Sequence, residues 1–177
     1  MTSVVLDLGT NIDKEESLAT ALGHLAEEVT LVGTSSVYRT VPVGMSNQPD
    51  FFNVAVEVET DKSVQEIRAL ARAIEDKMGR NRSGPKFGPR NIDLDLVLYG
   101  DTVDPEQGVP RPQALTELFI VGPLADLRPE GTHPETGQTW KELRAKLMGG
   151  QSGKDAGIVK ECELSALPLS EKTRAKL

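Results

Sequence analysis

The sequence predicts an α+β domain of the ferredoxin-like kind, a β-α-β-β-α-β path in which an antiparallel sheet carries two helices on one face. Two observations predict it. Four runs, at 4–8, 30–40, 53–59 and 92–99, alternate or are β-branched, and two stretches between them, 14–29 and 63–78, repeat apolar residues at helical spacing. These six segments follow one another in the required order within the first hundred of 177 residues. The expected organisation is a folded domain over 1–149, completed by an irregular C-terminal segment, and a linker-like extension over 150–177.

In VVLDL, Val4, Leu6 and Leu8 alternate with Val5 and Asp7, as a strand requires. Gly9, Thr10 and Asn11 end it. Leu18, Ala21, Leu22, Leu25 and Val29 then share one helical face. Residues 30–40, TLVGTSSVYRT, have no helical period and read as one strand. Pro42, Gly44, Asn47 and Pro49 punctuate a loop. Val54, Val56 and Val58 alternate with Ala55, Glu57 and Glu59 in a strand with one wet face. Ser63 and Glu66 have capping-box spacing, and Val64, Ile67, Ala71, Ile74 and Met78 form a helical stripe that ends at Gly79. Gly84, Pro85, Gly88 and Pro89 break the chain before the fourth strand. There Ile92, Leu94, Leu96 and Leu98 point toward the helices, and Asp93, Asp95, Val97 and Tyr99 away from them. Prolines scattered from 105 to 134 predict irregular structure. Thr139 and Glu142 cap a helix over 140–148, with Trp140, Leu143 and Leu147 on one face. GGQSGKDAG reads as a linker, and Ile158 to Leu177 as one strand and a frayed tail.

Charge narrows the function. Residues 1–76 carry thirteen acids against five Lys and Arg, whereas 77–90 holds Lys77, Arg80, Arg82, Lys86 and Arg90 and no acid. A net charge of −7 disfavours tracking a nucleic-acid backbone. A basic island on that background suits a small polyphosphate instead. The single cysteine, Cys162, excludes an internal disulfide, and no Cys/His spacing suggests zinc. No signal-peptide pattern or apolar run of membrane-spanning length occurs, so the expectation is a soluble cytoplasmic protein, monomeric by default, with neither nucleic-acid nor membrane partners.

The island runs directly into Asp93 and Asp95. Residues two apart on a strand share a face, about 7 Å apart, and can grip Mg²⁺ ions that also hold substrate phosphates. The stretch DLDLVLYG lacks the spacing of an EF-hand loop. GxxxxGK[ST], HRD, DFG and GxSxG are all missing, and His24 and His133 lie far apart in sequence. The remaining chemistry is phosphoryl-type transfer, which needs chiefly positioning, metals and cations.

Four motifs sharpen this: YRTxPxG (Tyr38 to Gly44), QPDFFN (Gln48 to Asn53), E-x₃-GRxR (Glu75 to Arg82) and FGPRxIDLDL (Phe87 to Leu96). With VP-x-P from Val109 and LFIVGPLADLRP from Leu118, the chain over about residues 3–148 resembles the 6-hydroxymethyl-7,8-dihydropterin pyrophosphokinases of folate biosynthesis. The resemblance implies a ferredoxin-like core. It also implies transfer of the β,γ-diphosphate of ATP, as co-substrate, to the pterin hydroxymethyl group, with two Mg²⁺ and release of AMP.

It further implies roles. Asp93 and Asp95 match the magnesium aspartates, and Arg80 and Arg90 the arginines that act during transfer; as a separate mechanistic expectation, Asp95 helps orient or deprotonate the hydroxyl. Glu75, Arg82, Lys86, Phe87, Leu96 and Arg111 fall at nucleotide positions. Phe51 and Phe119 match the aromatics that sandwich the pterin, Asn53 the amide on its edge, and Thr40, Pro42 and Val43 the loop that reads it. A flat polar heterocycle calls for two ring faces and an in-plane donor and acceptor. This chain departs from the family pattern at Arg111, where histidine is usual, at Glu117, where arginine is usual, and at Phe87, where tryptophan is common. A non-catalytic pterin- or nucleotide-binding relative is the alternative, and a two-metal nuclease is a weaker one.

Overall fold

The computed structural model describes residues 1–44, 47–79 and 91–177. In chain order the elements are β1 (Thr2–Thr10), α1 (Lys14–Glu28), β2 (Thr30–Thr34), β3 (Val37–Thr40), β4 (Phe51–Thr60), α2 (Val64–Lys77), β5 (Asp93–Tyr99), α3 (Leu118–Leu127), α4 (Trp140–Met148), β6 (Ile158–Cys162) and α5 (Glu171–Arg174). The sheet runs β5-β1-β4-β3-β6, with β2 also on β4, and every pair is antiparallel. This is the predicted ferredoxin-like sheet, with one strand added at its edge.

The run 30–40, expected as one strand, is two. Ser35 interrupts it: its N–H donates to the Ala55 carbonyl at 2.9 Å, and its Oγ accepts the Ala55 N–H at 2.9 Å. A side chain thus makes one rung of the ladder, and β3 leaves the line of β2.

Leu6, Leu8, Leu18, Leu22, Leu25, Val54, Val56, Ile67, Leu94 and Leu96 form a core between the sheet and α1 and α2. The Ser63–Glu66 capping box closes the start of α2 as expected, worth about 1 kcal/mol. A second core covers the opposite face, where Val5, Val97 and Leu98 meet Ile120, Val121, Leu124, Trp140 and Leu143 of α3 and α4. The molecule is therefore three layers deep.

Leu98 faces the second core, not the first, and Tyr99 packs on the first. The cause is a bulge: Val5 pairs with Leu98 and Leu6 with Leu96, leaving Val97 as the extra residue. The segment expected to be irregular contains α3. Its residues Ile120 to Ala125 are all buried, so no polar face betrays a helical period, and Gly122 and Pro123 read as breakers.

The stretch expected as a linker-like extension over 150–177 is part of the same body. β6 pairs with β3, Leu164, Leu167 and Leu169 enter the first core, and α5 packs on α1. Ser170 caps α5 by accepting the Thr173 N–H, so the expected frayed tail is ordered.

Candidate active site

One end of the sheet, on the face away from α1 and α2, opens into a cavity of about 420 Å³. Four strands contribute to its floor because alternate residues share a face. β1 supplies Asp7 and Gly9, β4 supplies Phe51 and Asn53, β3 supplies Thr40, and β5 supplies Asp93 and Asp95. Val41 and Val43 form one wall, and Phe119, at the start of α3, stands on the other with Gln113 and Glu117. Arg111 closes the acidic end.

Asn53 is the keystone of the floor. It is 3% exposed, its Oδ1 accepts the Thr40 hydroxyl at 2.8 Å, and its Nδ2 donates to Asp7 Oδ2 at 3.1 Å. The amide keeps one N–H and one lone pair for a ligand. Gly9 permits this approach, since a Cβ there would lie 2.9 Å from Asn53 Nδ2.

Asp7 sits directly across the ladder from Asp95. Burial, then the charges of Asp95 and Asp93, push its carboxyl well above the usual carboxylate range, against the pull of the Asn53 N–H and Arg111. Its Oδ1 is buried without a hydrogen-bond partner. The sequence reading named Asp7 only as a strand residue. The available signal was an acid inside an otherwise apolar strand, next to a glycine.

Arg111 Nη1 pairs with Asp95 Oδ1 at 2.9 Å. The Val97 bulge fixes this arginine, because the Val97 carbonyl accepts the Arg111 N–H at 2.8 Å. Arg111 and Glu117, two of the three departures from the family pattern, thus face the same cavity as the acidic pair.

The expected residues divide as follows. Thr40, Val43, Phe51, Asn53, Asp93, Asp95, Arg111 and Phe119 converge on this cavity. Pro42 lies in the same loop, outside the cavity lining. Glu75 is 4% exposed on α2, where its Oε1 accepts the Leu94 N–H at 3.0 Å and braces the strand between the two aspartates. The Leu96 side chain belongs to the first core, so only its backbone remains for a nucleotide. Arg80, Arg82, Lys86, Phe87 and Arg90 lie outside the described residues.

The donor chemistry suits magnesium. Asp93 and Asp95 offer hard oxygens on a rigid strand beside the orphaned oxygen of Asp7. No three His, Cys, Asp or Glu among the described residues form a closed metal cage. Two carboxylates with the rest of the shell left to water and phosphate is the usual way Mg²⁺ is held.

A ferredoxin-like sheet whose open end joins an aromatic-walled slot to an acidic pair is the architecture of a small-molecule phosphotransferase. Comparison makes the family particular: the chain belongs to the 7,8-dihydro-6-hydroxymethylpterin-pyrophosphokinase (HPPK) family, whose model matches residues 5–129. It is 39% identical over 148 residues to the 2-amino-4-hydroxy-6-hydroxymethyldihydropteridine pyrophosphokinase of Bacillus subtilis, covering 76% of this chain and 88% of that one. The enzyme of the same name from Methylorubrum extorquens is 37% identical over 152 residues, covering 83% and 94%. Among solved structures, a Plasmodium falciparum HPPK-DHPS triple mutant with pteroate superposes with a TM-score of 0.67 at 15% identity. That match covers 90% of this chain and 46% of the other, and it speaks for the fold alone.

Proposed function

We propose that this protein transfers the diphosphate of ATP to the hydroxymethyl group of 6-hydroxymethyl-7,8-dihydropterin, releasing AMP, as a step of folate biosynthesis. The observation that carries this reading is the single cavity joining Thr40, Phe51, Asn53 and Phe119 to Asp93 and Asp95. The pterin ring lies between Phe51 and Phe119, and the free N–H and lone pair of Asn53 meet its edge. Thr40 holds Asn53 in register, and the backbone at Pro42 and Val43 reads the remaining ring atoms.

Asp93 and Asp95 would hold two Mg²⁺ ions, which would supply Lewis-acid withdrawal of charge from the phosphates. The hydroxymethyl oxygen bonds to the β-phosphorus, the bond from the β-phosphorus to the oxygen bridging the α-phosphate breaks, and AMP departs. Asp95 orients the hydroxyl and takes its proton toward solvent. Arg80 and Arg90 neutralise charge on the transferring groups. Arg82, Lys86, Phe87 and Arg111 hold the nucleotide with the Leu96 backbone, while Glu75 acts through the strand it braces. The protein acts on these small molecules in the cytoplasm.

The test mixes protein, Mg-ATP and hydroxymethyldihydropterin and measures AMP. Wild type should release AMP and pterin diphosphate in equal amounts, and Asp95→Asn should lower kcat by about 10²-fold or more. A wild-type chain that binds both substrates without releasing AMP, or a fully active Asp95→Asn, would overturn the assignment.

A further inference from the structure

The two walls of the slot are joined from outside the family match, by the C-terminal strand. β6 pairs with β3 so that Ile158 stands opposite Thr40. One residue earlier, the Gly157 carbonyl accepts the Val41 N–H at 3.0 Å. Gly157 has φ +77°, and a Cβ there would lie 2.6 Å from Val41 Cγ2. The positive φ favours glycine, and a larger residue there would also press on the Val41 side chain.

Ile158 makes the second connection. It is 5% exposed, and a Cβ on Gly122 of α3 would overlap its Cδ1. Gly122 lies one turn beyond Phe119 on the same helix. A single side chain therefore reaches from the Thr40 ladder to the helix that presents Phe119.

The turn before β6 is internally bonded: the Ile158 N–H donates to the Gly153 carbonyl at 2.7 Å and the Ala156 N–H to the Ser152 carbonyl at 2.9 Å. A third link runs from β6 to the far end of the 41–50 loop, because Arg39 Nε meets Glu161 at 3.0 Å while its Nη1 meets Asp50 at 3.7 Å. Among the described residues of this loop, Val41 is 53% and Val43 50% exposed, so neither anchors it in a core. Its position depends on what it is tied to.

We propose that Gly157 and Ile158 are positioning residues for the pterin slot: the C-terminal strand fixes the gap between the 40–44 segment and Phe119 and so sets affinity for the flat ring, leaving the nucleotide end untouched. This rests on the pterin assignment above, but its mechanical half is testable without any ligand.

The experiment uses the full chain. In ligand-free protein, Ile158→Ala should speed hydrogen exchange at the Val41 amide about tenfold while the centre of β4 stays protected. By calorimetric titration, the same variant should raise the hydroxymethyldihydropterin Kd about tenfold and the Mg-ATP Kd less than about twofold. Ile158→Val should recover most of the loss. Unchanged exchange and unchanged pterin Kd, or equal weakening of both ligands, would overturn the clamp. If Ile158→Ala does not fold, Gly157→Ala carries the test, being disfavoured both by the φ of +77° and by the Val41 side chain: it should raise the pterin Kd about tenfold and the Mg-ATP Kd less than about twofold. An unchanged pterin Kd, or equal weakening of both ligands, overturns the proposal. A wild-type chain that binds no pterin refutes the substrate assignment, and the exchange rates then decide the clamp by themselves.

Discussion

Asn53→Ala asks whether the slot floor is held by hydrogen bonds. The side chain is 3% exposed and engages Thr40 Oγ1 at 2.8 Å and Asp7 Oδ2 at 3.1 Å. Truncation strands a buried hydroxyl and leaves both Asp7 oxygens without a partner, since Oδ1 already has none. Each buried group left unmatched costs about 1–3 kcal/mol. Asp7 moderates its share by holding its proton more tightly, because the Asn53 N–H is one of the two influences that lower its pKa. The sum is about 2–5 kcal/mol, which for a chain of this size lowers Tm by about 5–15 °C. Thermal melts at pH 7 measure it, and a double-mutant cycle with Thr40→Val should return a coupling near 1 kcal/mol. A Tm loss below about 1 °C with unchanged pterin affinity would show that the floor is set by packing alone.

Three further outcomes are expected. Phe119→Ala should raise the pterin KM about tenfold or more and the ATP KM less than about threefold, since only the ring face is lost; a larger effect on ATP would put Phe119 at the nucleotide. Glu75→Leu leaves the Leu94 N–H without its 3.0 Å acceptor, which should cost about 1–3 kcal/mol in urea melts and weaken Mg-ATP more than pterin; equal stability would remove its bracing role. His133 is buried against Trp140 with ring centroids 5.5 Å apart, and burial lowers its pKa from 6.5. Below about 6.5 the unfolded chain takes up a proton that the folded chain refuses. Stability should therefore fall as pH drops through that value, and His133→Asn should flatten Tm between pH 7 and 5.5; an unchanged slope would assign the loss to other groups.

Local signals carried far in this sequence wherever one residue reports one geometry. Ser63 with Glu66 and Thr139 with Glu142 cap the helices they were expected to cap. Residues that meet in the cavity stand close together in short motifs, Phe51 and Asn53 in one, Asp93 and Asp95 in another, so their convergence was legible. What failed was long-range. α3 hides because a helix buried all round has no stripe. Leu98 changed faces because a bulge is a property of the strand pair and leaves no mark on one strand. The ion pair between Arg111 and Asp95 needs the loop after β5 to fold back along its strand. The glycines after Met148 suggest a linker by composition, yet Gly157 takes φ +77° to form the turn that starts β6.

The hydroxyl of Ser35 has a wider effect than its size suggests. By accepting the Ala55 N–H it lets the chain change direction within two residues at no loss of backbone pairing. β2 pairs with the C-terminal half of β4, Val56 to Glu59, while β3 pairs with its start, Phe51 to Asn53, and offers its other border. That border is the berth for β6. The border that receives β6 therefore follows a bend in which one side-chain oxygen stands in for a backbone rung.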